Sequence, residues 1–122
     1  MSQRSAFIYD EILAKHVLSD SHPMKPVRIR YTHDLLSSYA AFDGPDSLLA
    51  KPRLATKEEL LYFHTPEYVA AVKQYGSGQI SENPEIYNLG PGDNPVYEGM
   101  YEAAAMSTGA SLSAVEMLMS GE

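Results

Sequence analysis

The stretch SHPMKPVRIRYTHDLL, residues 21–36, decides the fold because it places a proline-locked turn directly before a helix. Pro26 suits the first helical turn, where the N–H that proline lacks would have no partner. Apolar residues then recur about four positions apart, which predicts one stripe facing a core. The members of this stripe are Val27, Tyr31, Leu35, Tyr39 and Phe42. The turn formers Asp-Gly-Pro at residues 43–45 predict the end of the helix.

Three basic residues, Lys25, Arg28 and Arg30, cluster at the start of this helix in a chain whose formal net charge is −7. The simpler interpretation is a solvated helix face. The alternative is that a half-buried arginine lines a polar channel or binds an anion, because the planar guanidinium matches a carboxylate. The pattern by itself favours the solvated face.

Short apolar runs predict one or two strands. The run AFIYD, residues 6–10, suits a strand of a parallel sheet that is buried on both faces. A second strand is indicated near KPRLA, residues 51–55. One or two strands do not make a stable sheet, so we expect the chain to be part of a larger fold or to be completed by a partner.

Two further helix starts lie in the middle of the chain. Thr56 and Glu59 form a capping box, and Thr65 is a capping residue followed by Pro66 at the first helical position. Gly76 suits the C-terminal cap of the second of these helices. The core stripe of that helix is expected at Tyr68, Val72 and Tyr75.

A loop-like segment at residues 76–93 leads to the last helix. Asn94-Pro95 predicts the start of this helix, and its end is expected near Met119. Its middle, residues 103–115, contains no charged residue, so we expect protein on all sides of it. Its small residues allow a neighbouring segment to approach closely.

The composition limits the functions open to the chain. A length of 122 residues predicts a single unit over residues 1–122. The acidic balance argues against a general nucleic-acid binder and against a binder of anionic membranes, since both need a basic face. The absence of cysteine excludes disulfides and cysteine-ligated zinc and favours a cytoplasmic compartment. We find neither a signal peptide nor the run of about 18 apolar residues that spans a membrane.

Two candidate features survive, the basic cluster described above and the residue Asp93, whereas the histidines do not indicate a metal site. The four histidines, His16, His22, His33 and His64, show no spacing that brings three or four ligands to one zinc ion. Asp93 lies in the glycine-rich stretch GPGDNP, where an acid near a helix start is stabilised by the helix dipole. The alternative for Asp93 is an exposed carboxylate that accepts N–H bonds from a substrate backbone or amine. The pattern by itself favours the electrostatic interpretation.

Three motifs in this order resemble the histone deacetylase superfamily, and in particular its bacterial acetoin utilisation proteins. HPMKPVRIRYTHDLL (22–36) resembles the opening helix motif of that family. LATKEELLYFHTPEYVAAV (54–72) resembles the segment in which a helix leads to a histidine and a second helix. GPGDNPVYEGMYEAAAMSTGASLSAVEML (90–118) resembles the Gly-x-Asp-x-Pro-Val loop and the long helix after it.

The resemblance implies an α/β fold of the arginase/deacetylase type with a parallel sheet. The chain is then an N-terminal fragment of that fold, mostly helical with one or two strands. In the full-length family it implies zinc-dependent hydrolysis of acetylated lysine or of an acetylated small amine. The paired-histidine and Asp-x-His motifs that carry this chemistry are absent from the sequence. We therefore expect no catalytic residue, no metal ligand set and no zinc in the chain itself.

The same resemblance assigns roles to three residues. Arg28 matches the arginine of the internal channel behind the active site, and Asp93 matches the rim aspartate that holds the substrate backbone. Lys25 matches a lysine with which some eukaryotic members bind inositol phosphate. Ser21 stands where that anion site has a glycine, which argues against inositol phosphate in this protein.

Two functions are open at this point. The first is the N-terminal third of a deacetylase, inactive by itself. The second is a non-catalytic module derived from the same family, which associates with itself or with a partner. The expected partner is accordingly a second copy of the chain or the missing C-terminal part of the domain.

Overall fold

The computed structural model describes residues 3–79 and 83–122. Within these ranges the chain is mostly helical, with two strands and two short 3₁₀ turns, at Glu11–Ala14 and Pro84–Tyr87. The strands and helices are β1 (Ser5–Ile8), α1 (Val27–Ser38), β2 (Ser47–Ala50), α2 (Lys57–Leu60), α3 (Pro66–Gly76) and α4 (Met100–Ser120). Residues 80–82 of the predicted loop lie outside the described residues.

The two strands pair in parallel, with Ser5 opposite Ser47 and Ile8 opposite Ala50. This confirms the predicted parallel sheet. The second strand was predicted near residues 51–55, but it lies just before them, at Ser47–Ala50. Pro52 has no N–H to donate to a neighbouring strand, so the strand does not extend through it. The first strand is not buried on both faces as predicted, since its first two residues are exposed and its last two are half-buried.

The chain leaves the sheet after β2 and crosses the last helix. The N–H of Ala55 donates to the carbonyl of Ala105 in α4, at 3.0 Å. At this crossing α4 carries Gly109, where a Cβ atom would overlap the carbonyl of Arg53 and lie 2.8 Å from the nitrogen of Ala55. Glycine is therefore required at position 109 by the approach of a second backbone.

Helix α1 begins at Val27, so Pro26 is the capping residue directly before the helix, one position earlier than the predicted place in its first turn. It ends at Ser38, earlier than the turn formers at residues 43–45, because Ala40 adopts a left-handed conformation with φ 54° that an α-helix does not accommodate.

The predicted core stripe of α1 is wrong in its middle, although its first and last members, Val27 and Phe42, are half-buried. Tyr31, Leu35 and Tyr39 are 61%, 57% and 78% exposed. The helix is rotated relative to the prediction, so that a neighbouring set of residues, which are half-buried, faces the protein. Its members are Ile29, His33 and Leu36. The reason is the aromatic ring of Tyr9, which lies parallel to the imidazole of His33 at 4.1 Å and fixes the rotation of the helix.

Helices α2 and α3 start as the sequence predicts. The hydroxyl of Thr56 accepts the N–H of Glu59 at 3.2 Å, while the carboxylate of Glu59 accepts the N–H of Thr56 at 2.9 Å. The hydroxyl of Thr65 accepts the N–H of Tyr68 at 3.3 Å. The two capping motifs are thus confirmed.

Gly76 is the last residue of α3, and the cap after it is Ser77, so the prediction of Gly76 as the cap is wrong. Gly76 instead allows close packing against the start of α4. A Cβ atom there would lie 3.2 Å from the side chain of Met100, and the carbonyl of Gly76 accepts the N–H of Gly99 at 3.0 Å.

The last helix begins at Met100, five residues later than Asn94-Pro95 indicated. Gly99 precedes it with φ 79°, so the chain enters the helix through a left-handed residue that glycine adopts without strain. The helix ends at Ser120, close to the predicted end. Buried residues in its middle are Ala105 and Gly109, and the remainder is half-buried or exposed, so protein does not surround it as predicted.

The core lies between α3 and α4. Ala71, Tyr75 and Met100 are buried there, and half-buried side chains pack around them, namely Val72, Tyr87, Leu89, Val96 and Tyr97. Two of the predicted stripe residues of α3, Val72 and Tyr75, belong to this core. None of the helices in the described ranges combines the length and the apolar character needed to cross a membrane.

Candidate functional site

His22 joins two of the sequence motifs. Its side chain is buried, with 8% exposed. The N–H of Met24 donates to its Nδ1 at 3.0 Å, so the other ring nitrogen, Nε2, carries the proton and donates to the carbonyl of Asp93 at 3.0 Å. The start of α1 and the glycine-rich loop before α4 are thereby held together, although 71 residues separate them.

Asp93 lies in a loop closed on itself. The N–H of Gly90 donates to the carbonyl of Asn94 at 2.8 Å, and Gly92 has φ 108°, which few residues other than glycine adopt. The backbone of Asp93 is engaged by His22, and the residue is exposed. Its carboxylate is therefore accessible to an incoming N–H donor, as the sequence-based role requires.

Arg28 is exposed and not half-buried, and it lines a cavity of about 240 Å³ between the first turn of α1 and α4. His16, Tyr97 and Ser107 contribute polar groups to the same cavity. The Nε2 atom of His16 is buried and has no hydrogen-bond partner among the described residues. Burial raises the pKa of the Tyr97 hydroxyl. The cavity is thus a partly enclosed space with an arginine at its wall.

Lys25 is occupied within the protein. Its ammonium group donates to the carbonyl of Asp20 at 2.8 Å and to that of Ser19 at 3.3 Å, so it holds the loop before the His-Pro turn. Anion binding by Lys25 stays a prediction. Asp10, after β1, is likewise used locally, because its carboxylate accepts the N–H of Ile12 at 3.0 Å and caps the 3₁₀ turn.

A zinc ion does not fit the described side chains. Across residues 3–79 and 83–122, no group of three or more His, Asp or Glu side chains comes together in a way that could hold a metal. His33 instead stacks on Tyr9 and pairs with Asp34 at 3.2 Å. No step of a zinc-assisted reaction is therefore assigned to these residues.

A charged cluster that the sequence did not reveal ties α2 to α4. The guanidinium of Arg53 donates twice to the Glu59 carboxylate, at 2.7 Å each, and also to Glu116, at 2.5 and 3.3 Å. These bonds lower the pKa of Glu59 to about 2 and lower that of Glu116. The only sequence signal was the capping role of Glu59, since 63 residues separate Arg53 from Glu116.

Comparison with known proteins gives consistent results. A family model described as histone deacetylase domain matches residues 22–122. The acetoin utilization protein AcuC of Bacillus subtilis (strain 168) is 41% identical over 119 residues, which are 97% of this chain and 30% of that protein. Histone deacetylase HDAC1 of Drosophila melanogaster is 33% identical over 118 residues, 95% of this chain and 22% of that protein.

The fold also matches a solved structure. The crystal structure of an HDAC homolog from Aquifex aeolicus superposes with a TM-score of 0.84 at 28% identity, covering 98% of this chain and 32% of that chain. The chain thus spans about a third or less of the length of the relatives that it matches. The similarity includes the α/β architecture with its parallel strands.

Proposed function

The chain belongs to the histone deacetylase domain family, and from this premise we propose that it supplies the substrate rim and part of the internal channel of a deacetylase-type site. In this proposal Asp93 accepts N–H groups of the substrate backbone, and Arg28 stands at the channel wall. The substrate is an acetylated amine, either acetyl-lysine or an acetylated small molecule. The observation that carries the proposal is the hydrogen bond from His22 to the carbonyl of Asp93, because it joins the two segments that hold these residues.

The chemistry of both residues suits these roles. A carboxylate forms strong, charge-assisted hydrogen bonds with amide donors, and that of Asp93 is exposed at the surface. A guanidinium binds a carboxylate in a two-pronged geometry. Arg28, at the wall of the cavity of about 240 Å³, is therefore placed to meet a small carboxylate product such as acetate.

The hydrolytic step is a separate question, since the described side chains do not form a metal site. In the family, zinc would polarise the acetyl carbonyl and activate water. We propose that the chain by itself does not catalyse this step. An assay of acetyl-lysine hydrolysis with added zinc should show no turnover above a protein-free blank, and metal-dependent turnover would contradict the proposal.

Substrate binding can be tested without turnover. Titration of the labelled chain with an acetyl-lysine peptide should shift the NMR signals of the loop around Asp93. Asp93→Asn should weaken binding about tenfold, because it removes a charged acceptor. Asp43→Asn, an equally conservative change at an exposed site near the end of α1, is the matched control. Equal binding by the two variants would refute the role of Asp93.

A second candidate function is a non-catalytic module that associates with itself or with a partner protein. The exposure of Tyr31 and Leu35 on α1 and of Tyr39 directly after it supports this candidate, because monomers rarely expose contiguous apolar patches of more than a few hundred Å². The cysteine-free sequence supports a cytoplasmic location for either candidate.

A further inference from the structure

An aromatic cleft opens between the start of α3 and the 3₁₀ turn at Pro84–Tyr87, with a volume of about 470 Å³. Four rings line it, those of Phe63, His64, Tyr68 and Tyr87. Neighbouring rings are in contact, with centroid distances of 5.0 Å for Phe63–His64, 5.1 Å for His64–Tyr68 and 6.0 Å for Tyr68–Tyr87. The cleft is therefore walled by a continuous series of π-systems.

The outermost of these rings is poorly covered. Phe63 is 90% exposed, and so is its neighbour Tyr62 at 86%, but of the two only Phe63 lines the cleft. The ring of Phe63 has an edge-on contact with that of His64. An aromatic face left open at the rim of a cleft is available to a ligand.

A second cleft adjoins the first and carries negative charge. It has a volume of about 280 Å³, it shares Asn88, Leu89 and Asn94 with the aromatic cleft, and its wall includes Glu85 and Asp93. The whole chain is acidic as well, with a net charge of −7. Both the local and the overall charge favour a cationic occupant.

The N-terminus of α3 is the competing influence, because a helix start attracts anions. Here that attraction is largely used within the protein. Pro66 has no N–H, and the N–H of Tyr68 is bonded to Thr65. Glu67 adds a carboxylate to the same first turn. The balance at this end of the helix therefore favours a positive charge.

We propose that the aromatic cleft binds an alkylammonium group, with the rings contacting the cation through their faces and Glu85 supplying a nearby negative charge. Cations held over aromatic rings are a known mode of recognition for such groups. This inference rests on the proposed function in one respect. It makes the ammonium an unacetylated, positively charged group of the same substrate that Asp93 holds at the rim, and that substrate class is a polyamine or a lysine-rich peptide.

The probe for the cleft itself is choline, compared with dimethylbutanol, which has the same shape without the charge. NMR titration of the full chain should show shifts around Tyr68 and Tyr87, with dimethylbutanol binding at least about threefold more weakly. Phe63→Ala should weaken choline binding about threefold, whereas Tyr62→Ala should leave it unchanged. Glu85→Gln should also weaken it. Equal binding of the two probes, or equal behaviour of the Phe63 and Tyr62 variants, would overturn the proposal.

A competition experiment separates the cleft from the rim. Monoacetylated spermidine and an acetyl-lysine peptide with a free lysine are titrated with and without choline. Competition by choline supports a substrate that contacts both the cleft and the rim at Asp93. The acetylated compound that competes more strongly shows whether this substrate is a polyamine or a peptide. If choline binds in the cleft but neither acetylated compound competes, the substrate assignment is wrong. If the compounds compete but Asp93→Asn has no effect, the cleft stands and the proposed role of Asp93 fails.

Discussion

At the scale of the residue, His22 is the side chain on which the candidate site depends. It accepts the N–H of Met24 and donates to the carbonyl of Asp93, and it is buried, so a smaller side chain would leave both groups unpaired. His22→Ala should therefore lower the free energy of unfolding by about 1–3 kcal/mol. Urea denaturation measures this loss.

The same substitution has a local signature. The amide hydrogen of Met24 should exchange with solvent faster in His22→Ala. The amide hydrogen of Tyr68, which is bonded to Thr65, should exchange no faster than the loss of global stability explains. Unchanged protection of Met24 would show that the imidazole does not hold this turn. The histidine-proline motif marked the position as special, but the partner loop could not be predicted, because it depends on how distant segments pack.

Gly109 gives a second test at this scale. Alanine usually stabilises a helix by about 1 kcal/mol relative to glycine. Here its Cβ would overlap the carbonyl of Arg53, and overpacking against a backbone costs about 1–3 kcal/mol or more. We expect Gly109→Ala to be less stable than the wild type by about 2 kcal/mol in chemical denaturation. Ser111→Ala, at an exposed position of the same helix, should lose nothing.

The two helix variants separate steric overlap from propensity. If Gly109→Ala were as stable as Ser111→Ala, the crossing of residues 53–55 over α4 would be wrong. The sequence indicated that small residues in α4 permit close approach. It did not show which glycine was needed, because that depends on a segment more than 50 positions away along the chain.

At the scale of the element, the cluster around Arg53 connects α2 with α4 and should make stability depend on pH. The folded-state pKa of Glu59 is about 2, below its ordinary value of 4.5. A carboxylate with a lowered pKa stabilises the fold fully above its unfolded value, and this contribution is lost as pH falls. The midpoint of thermal unfolding should therefore fall between pH 4.5 and about 2.

Substitution of the carboxylate tests the origin of this dependence. Glu59→Gln should flatten the decline in that pH range and lower stability at neutral pH, while glutamine can still serve the capping box. Glu58→Gln, in the same helix but outside the contacts of Arg53 described above, is the matched control. If the acid transition of Glu59→Gln were as steep as that of the wild type, the loss of stability at low pH would come from other carboxylates.

The helices also show what local sequence can predict. The caps at Thr56 and Thr65 involve neighbouring residues, and both predictions were confirmed. The rotation of α1 was predicted wrongly, because apolar residues occur on more than one face of it. The ring of Tyr9 selects the face that carries His33, and such a contact between distant segments leaves no periodic signal.

At the scale of the whole molecule, the outward stripe of α1 is largely exposed and the sheet has two strands among the described residues. A sheet of two strands is marginal by itself, and Tyr31 and Leu35 are more than half exposed. The chain spans about 30% of its AcuC relative. The exposed apolar face of α1 would be covered either by the rest of a longer domain or by a second copy. A sequence pattern that predicts a buried stripe does not show which of these two partners covers it.

For the chain by itself, we expect self-association through α1. Light scattering after size-exclusion chromatography should show a mass that rises with protein concentration. Because each copy carries a net charge of −7, repulsion opposes association, and added salt should strengthen the association by screening this repulsion.

Substitutions on α1 test which face associates. Leu35→Lys combined with Tyr31→Lys should return the chain to a monomer, since burying a lysine without a partner is costly. Tyr62→Lys places one positive charge at an exposed aromatic site outside α1 and is the control. A folded wild-type monomer at high concentration and high salt would eliminate the self-associating module and leave the remainder of a deacetylase domain as the partner of this face.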